Sequence, residues 1–170
     1  YQPCPAGKYQ PNSGASSCLS APAGAYVSSG GQTNYQWCPA GQYQAYTGQT
    51  SCNVAYLGMY VPTSGQTSAT SCPVGTYQPS YGSTSCISAP AGTYVSSTGQ
   101  ATYTSCLAGT YQNATGQTSC DDADAGYYVS LTGQTSQTAC SVGTYNPNTS
   151  STSSAACLNA SEGYFVDLTG

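Results

Sequence analysis

A Gly-x-Tyr triplet recurs along this chain every seventeen residues. It stands at Gly7/Tyr9, Gly24/Tyr26, Gly41/Tyr43, Gly58/Tyr60, Gly75/Tyr77, Gly92/Tyr94, Gly109/Tyr111, Gly126/Tyr128 and Gly143/Tyr145. It closes at Gly163/Phe165 after a step three residues longer. Strict self-similarity of this kind marks a tandem array. A seventeen-residue module is too short to bury its own faces, so modules have to stack on their neighbours.

The cysteines divide the modules into two kinds. Their gaps run fourteen, then twenty, so the covalent period is thirty-four residues, or two modules. Closed modules carry a cysteine before the Gly-x-Tyr triplet and another well after it: Cys4/Cys18, Cys38/Cys52, Cys72/Cys86, Cys106/Cys120 and Cys140/Cys157. In open modules the equivalent pairs are Ala21/Tyr35, Ala55/Ala69, Ala89/Tyr103 and Ala123/Gln137. Both cysteines vanish together. That paired absence favours bridges within a module over a cross-module pair such as Cys18 with Cys38. Spacing alone does not fix connectivity. A second alternation follows the first. The residue after the repeat tyrosine is Gln10, Gln44, Gln78, Gln112 or Asn146 in closed modules, and Val27, Val61, Val95, Val129 or Val166 in open ones. A bridge closing a loop of this size contributes about 3 kcal/mol. A buried valine contributes about 1.5–3 kcal/mol. The two devices are comparable, so an apolar residue is expected to compensate where the bridge is missing.

Composition explains why staples are needed. Leu, Ile, Val and Phe together fall far below the roughly 20% under which a chain is usually disordered. Charged residues make up 4% and the net charge is -4. A thick aliphatic core is out of reach, and so is a highly charged disordered coil. An even number of regularly spaced cysteines reads as a disulfide framework and an oxidising, extracellular or cell-surface compartment. Zinc is a poor fit, because the chain has no CxxC pair and no histidine. No signal peptide, membrane span or lipidation motif is visible. The chain reads as a mature fragment or an excerpt from a longer array.

Each module reads as one β-hairpin. Proline and glycine shape the first turn, Thr-Tyr-Val or Thr-Tyr-Gln forms a short strand, and a polar stretch ending in a second glycine turns the chain. Gln-Thr-Ser is expected to return as the second strand. No segment shows the apolar periodicity of a helix. The expected fold is all-β, small and disulfide-rich: an elongated rod of tandem 17-residue β-hairpin units in a 34-residue double repeat. The double repeats run 1–37, 38–71, 72–105, 106–139 and 140–170, the last with the three-residue insertion. Contacts should be mainly between nearest neighbours, with the tyrosine ladder supplying most of the large packing surface.

The run Cys-Pro-x-Gly-x-Tyr followed by Gly-x-x-Ser-Cys resembles the ephrin-receptor-like cysteine-rich repeats, which are related to tumour-necrosis-factor-receptor modules. The matching residues are Cys4 to Tyr9 with Cys18, Cys38 to Tyr43 with Gly48 and Ser51-Cys52, and Cys72 to Tyr77 with Ser85-Cys86. The resemblance implies an extracellular spacer, stalk or protein-binding array. The chain departs from the pattern in that alternate modules have lost their cysteines.

Material for catalysis is scarce. Without histidine, neither a Ser-His-Asp nor a Cys-His arrangement can be assembled, and the chain is not expected to be an enzyme. The acids are Asp121, Asp122, Asp124, Glu162 and Asp167. The first three form the one run that could offer oxygen ligands to Ca²⁺, although a solvated acidic patch explains it as well; no other metal or cofactor is expected. One lysine, Lys8, and no arginine argue against nucleic-acid binding. No apolar run is long enough for membrane insertion within this segment. Three N-glycosylation sequons start at Asn113, Asn148 and Asn159, so covalent glycans are expected. Strict repetition, low charge and the Tyr/Gln/Ser/Thr composition point to a structural extracellular protein that forms or decorates a fibre, surface appendage or matrix by self-association. Other surface glycoproteins or glycans are further candidate partners. The alternative is the stalk or ligand-binding ectodomain of a cell-surface receptor or adhesin.

Overall fold

The structure is a computed structural model that describes residues 2–166. Tyr1 and residues 167–170, including the acid Asp167 and the final Gly170, lie outside the described residues. The described residues form nine two-stranded sheets, each made of two dipeptide strands, and one three-residue 3₁₀ turn, Ser154–Ala156. The protein is all-β, small and disulfide-rich. By contact density it divides into two compact bodies. Among the described residues one comprises 2–72, 78–87 and 99–101; the other comprises 73–77, 88–98 and 102–166.

The first turn of a module follows from its sequence. In Pro22-Ala23-Gly24-Ala25, the Ala25 N–H donates to the Pro22 carbonyl at 3.1 Å. Gly24 has φ of 81°, which is the positive value that the third residue of a type II turn requires. The same turn in the second body joins Thr93 to Pro90, also at 3.1 Å, and there the Thr93 hydroxyl caps the same carbonyl at 2.6 Å.

The strand pairing differs from the sequence expectation. The first strand is the residue before the repeat tyrosine together with the tyrosine itself. Its partner is the dipeptide after the second bridge position. Thus Lys8 pairs with Ser20 and Tyr9 with Leu19 in the first body, and Thr93 pairs with Ser105 and Tyr94 with Thr104 in the second. The Gln-Thr-Ser segment is therefore not the return strand. It belongs to a wide loop whose backbone polar groups serve the preceding module instead. In the first body the Val27 N–H donates to Gln49 O at 3.0 Å, while the Gly48 N–H donates to Ala21 O at 2.7 Å. In the second body Val95 bonds Gln117 O at 3.0 Å, and Gly116 bonds Ala89 O at 2.8 Å. Backbone groups that an isolated hairpin would leave to water are satisfied by its neighbour, which is why one module alone has no complete fold.

Contacts also reach past the nearest neighbour. In the first body a Cβ on Gly41 would collide with the carbonyl oxygen of Gly82, two modules on. In the second body Gly92 and Gly133 stand in the same relation. The nearest-neighbour expectation is corrected accordingly: backbones separated by one whole module touch, and glycine is what permits it.

The core is thinner than a tyrosine ladder would make it. The largest fully buried side chains are Val61, Cys38 and Cys72 in the first body and Val129, Cys106 and Cys140 in the second. Beside them lie the buried alanines Ala21 and Ala55 in the first body and Ala89 and Ala123 in the second. The repeat tyrosines Tyr26, Tyr43, Tyr94 and Tyr111 are only half-buried. Cysteine and the Ala/Val pair thus alternate in the interior. The tyrosine rings, half-buried, lie outside that interior.

The three-residue insertion has a specific location. Ser150 still donates its N–H to Ala123 O at 2.7 Å, and Ser151 O still accepts from the Val129 N–H at 2.9 Å. The register holds up to Ser151. The extra length is taken up before Cys157 by the 3₁₀ turn Ser154–Ala156.

Candidate functional site

The five bridges run Cys4–Cys18, Cys38–Cys52, Cys72–Cys86, Cys106–Cys120 and Cys140–Cys157, with Cα–Cα distances of 5.7–5.8 Å. Each joins a buried cysteine at the start of a module to a half-buried one on its loop. No cysteine is free, so no thiol is left for nucleophilic chemistry.

The glutamine of a closed module has a structural task that its sequence position did not reveal. Gln44 is buried. Its Nε2 donates to Ser51 O at 2.8 Å, and its Oε1 accepts the Tyr46 N–H at 3.1 Å. Gln78 does the same with Ser85 O at 2.7 Å and the Ser80 N–H at 3.0 Å. In the second body Gln112 repeats it with Ser119 O and the Ala114 N–H, both at 3.0 Å. The amide spans the loop that the disulfide closes. A buried polar side chain is tolerated because both of its ends are paired. In open modules the buried Val27, Val61, Val95 and Val129 take its place.

Open modules have other fastenings at the vacant bridge positions. Where the array has cysteine, the eighth module has Gln137. Its Oε1 accepts the Asp124 N–H, and its Nε2 donates to Asp124 Oδ2, both at 2.7 Å. Asp124 is thereby tied to its own module. Asp121 and Asp122 lie on the neighbouring strand, paired with Tyr111 and Thr110. Adjacent strand residues point to opposite faces, so the two carboxylates diverge. Among the described residues no group of three His, Cys, Asp or Glu side chains is placed to hold a metal ion.

In the second and sixth modules the vacant position holds Tyr35 and Tyr103. Tyr35 packs edge-on against Tyr9, with centroids 5.2 Å apart, and Tyr103 packs against Tyr77 at the same distance. Tyr35 also meets Trp37 at 5.0 Å and 81°. Tyr9, Tyr35 and Trp37 therefore form a continuous aromatic cluster in the first body. Sequence reading passed over it. The available signal was tyrosine at a cysteine position, followed two residues later by the chain's one tryptophan.

The sequon asparagines Asn113 and Asn148 lie on exposed loops, and Asn159 lies on an exposed strand end paired with Thr144. Among the described residues no helix is long and apolar enough to cross a membrane.

Residues 58–100 match the family model described as tyrosine-protein kinase ephrin type A/B receptor-like. The matched segment holds the Cys72–Cys86 bridge and the open-module residues on either side of it. No curated protein matches the chain.

Proposed function

We propose that the chain is part of a non-catalytic extracellular ectodomain: a disulfide-stapled stalk or ligand-presenting array of a cell-surface receptor or adhesin. The observation that carries this reading is the match of residues 58–100 to the ephrin-receptor-like family, centred on a bridged module. Five bridges with no free cysteine suit an oxidising compartment. The lack of histidine removes the commonest general base from any catalytic scheme. The fibre expected from the sequence has no observation in its favour, so the receptor-like reading takes precedence. On this reading the exposed Asn113, Asn148 and Asn159 are acceptors for N-linked sugar.

An antibody raised against the folded chain tests the location. Labelling of intact, unpermeabilised source cells, lost after brief surface proteolysis, is the expected result. Labelling that requires permeabilisation overturns the proposal.

A further inference from the structure

Trp37 occupies a register position that four other modules fill with serine: Ser20, Ser71, Ser88 and Ser105. In several modules the second residue after the bridge position lies against the second glycine two modules further on. In the first body a Cβ on Gly48 would stand 3.7 Å from the Ser20 Cβ, and one on Gly99 would stand 3.7 Å from the Ser71 Cβ. In the second body Gly116 and Ser88 repeat the contact at 3.8 Å. In the second module the same place holds Trp37 over Gly65. A Cβ on Gly65 would be 3.2 Å from Cε3, 3.5 Å from Cδ2 and 3.8 Å from Cζ3 of the indole. Three consecutive ring carbons at similar distances put Gly65 over the ring face rather than at its edge.

Serine satisfies the packing at this register. An indole that stays 50% exposed adds apolar surface that the fold does not require. It is nonetheless held firmly. Gly65 backs it, Tyr35 meets it edge to face, and Tyr9 supports Tyr35 in turn at 70°. Large aromatic side chains anchored in this way and left open to water are a common basis for recognition.

The surroundings define what can be recognised. Ser64 and Gln66 flank Gly65, Gln36 precedes Trp37, and all three are exposed. The Gln66 amide is steadied by its Nε2, which donates to Thr63 Oγ1 at 2.9 Å. All five acids lie at residue 121 or later, and Lys8 is the chain's one basic residue. A cationic ligand would find no acid among residues 1–120, and an anionic one would find only Lys8, which neighbours Tyr9 on its strand but points to the opposite face. A wholly apolar one would leave the amide and hydroxyl rim without partners. A pyranose ring meets both conditions, with C–H bonds on its face for the indole and hydroxyls at its edge for amides and serine.

The geometry points to a binding site for a neutral carbohydrate on the Tyr9–Tyr35–Trp37 cluster. The site does not depend on where the chain is displayed. The second body provides an internal control: Tyr77 and Tyr103 form the same ring pair at 5.2 Å and 82°, but the residue corresponding to Trp37 is Ser105. That pair has no platform and binds no sugar.

Because Trp37 is the one tryptophan, its fluorescence reports this site alone. The purified, oxidised chain is titrated with neutral trisaccharides: β-1,4-linked glucose, β-1,4-linked N-acetylglucosamine and α-linked mannose. A saturable change with at least one of them is expected. Trp37→Ser and Tyr35→Ala, which install residues that the array itself uses at these positions, should weaken that binding at least tenfold by calorimetry while both variants stay folded and fully oxidised. The proposal is overturned if no trisaccharide saturates the signal, including the case in which a proline-rich peptide does. It is also overturned if Trp37→Ser unfolds the chain, because the indole is then a packing residue. The third overturning result is undiminished sugar binding by a folded Trp37→Ser protein.

Discussion

The carbonyl oxygen of Gly133 lies against Gly92 where the first carbon of a side chain would have to go. Gly92 also has φ of 81°, so two independent constraints meet at one residue. A left-handed conformation costs an L-residue about 1–2 kcal/mol, and forcing atoms into packed space costs about 1–3 kcal/mol more. Gly92→Ala should therefore lower stability by about 2–5 kcal/mol, read as a drop in the melting temperature of the oxidised protein. An unchanged melting temperature would show that backbones two modules apart do not touch at this point.

Ser150 tests the same requirement from the opposite side. It stands at the register of the second glycine and is the one non-glycine among the described residues with positive φ, 55°. The Ser150 N–H bond to Ala123 O holds it there. Ser150→Gly relieves a strain of about 1–2 kcal/mol, offset by the extra freedom glycine gives the unfolded chain, about 0.5–1 kcal/mol. A net gain of about 0.5–1 kcal/mol is expected by denaturant titration. A loss would mean that the serine hydroxyl has a stabilising role of its own.

Closed and open modules should be interconvertible only as sets. Replacing Cys72 and Cys86 by alanine reproduces the pair Ala55/Ala69 of the preceding open module and should cost about 3 kcal/mol. Gln78→Val with the bridge intact leaves Ser85 O and the Ser80 N–H without the Gln78 amide, a loss of about 1 kcal/mol for each bond. All three changes together recreate the valine-packed arrangement of Val61. Their combined cost should be smaller than the sum of the separate costs, since residues in contact couple. Strict additivity would show that valine does not compensate for the bridge.

The Asp124–Gln137 pair fastens an open module without covalent help. Gln137→Ala removes two hydrogen bonds at 2.7 Å. Both residues have access to solvent, so the expected loss is small, about 1 kcal/mol. Faster amide hydrogen exchange should be confined to the loop between them. Exchange that spreads to the buried Val129 would indicate a larger role.

The period, the all-β class and the two kinds of module were legible in the residues because each depends on local chemistry. Glycine marks a backbone conformation, and the paired loss of cysteines marks a change of fastening. The strand register was not legible. Thr-Tyr can pair as well with Gln-Thr-Ser as with the dipeptide beyond the second cysteine, and contacts with the preceding module decide the matter. Reach across two modules was hidden for the same reason: Gly92 advertises its φ but not the Gly133 carbonyl above it. The aromatic cluster was obscured by abundance. With seventeen tyrosines in the chain, Tyr35 stands out only once its position is recognised as a vacated bridge. Asp124 was legible as one of three nearby acids but not as the partner of Gln137, which lies thirteen residues further along the chain.

Disulfide mapping of unreduced protein tests the central claim, a covalent staple inside every second module, most directly. Native material is digested without reduction and its linked peptides are identified by mass spectrometry. The account predicts no free thiol and five linked pairs, with Cys18 bonded to Cys4 and Cys38 to Cys52. A peptide joining Cys18 to Cys38, or free thiols in the native protein, would contradict it.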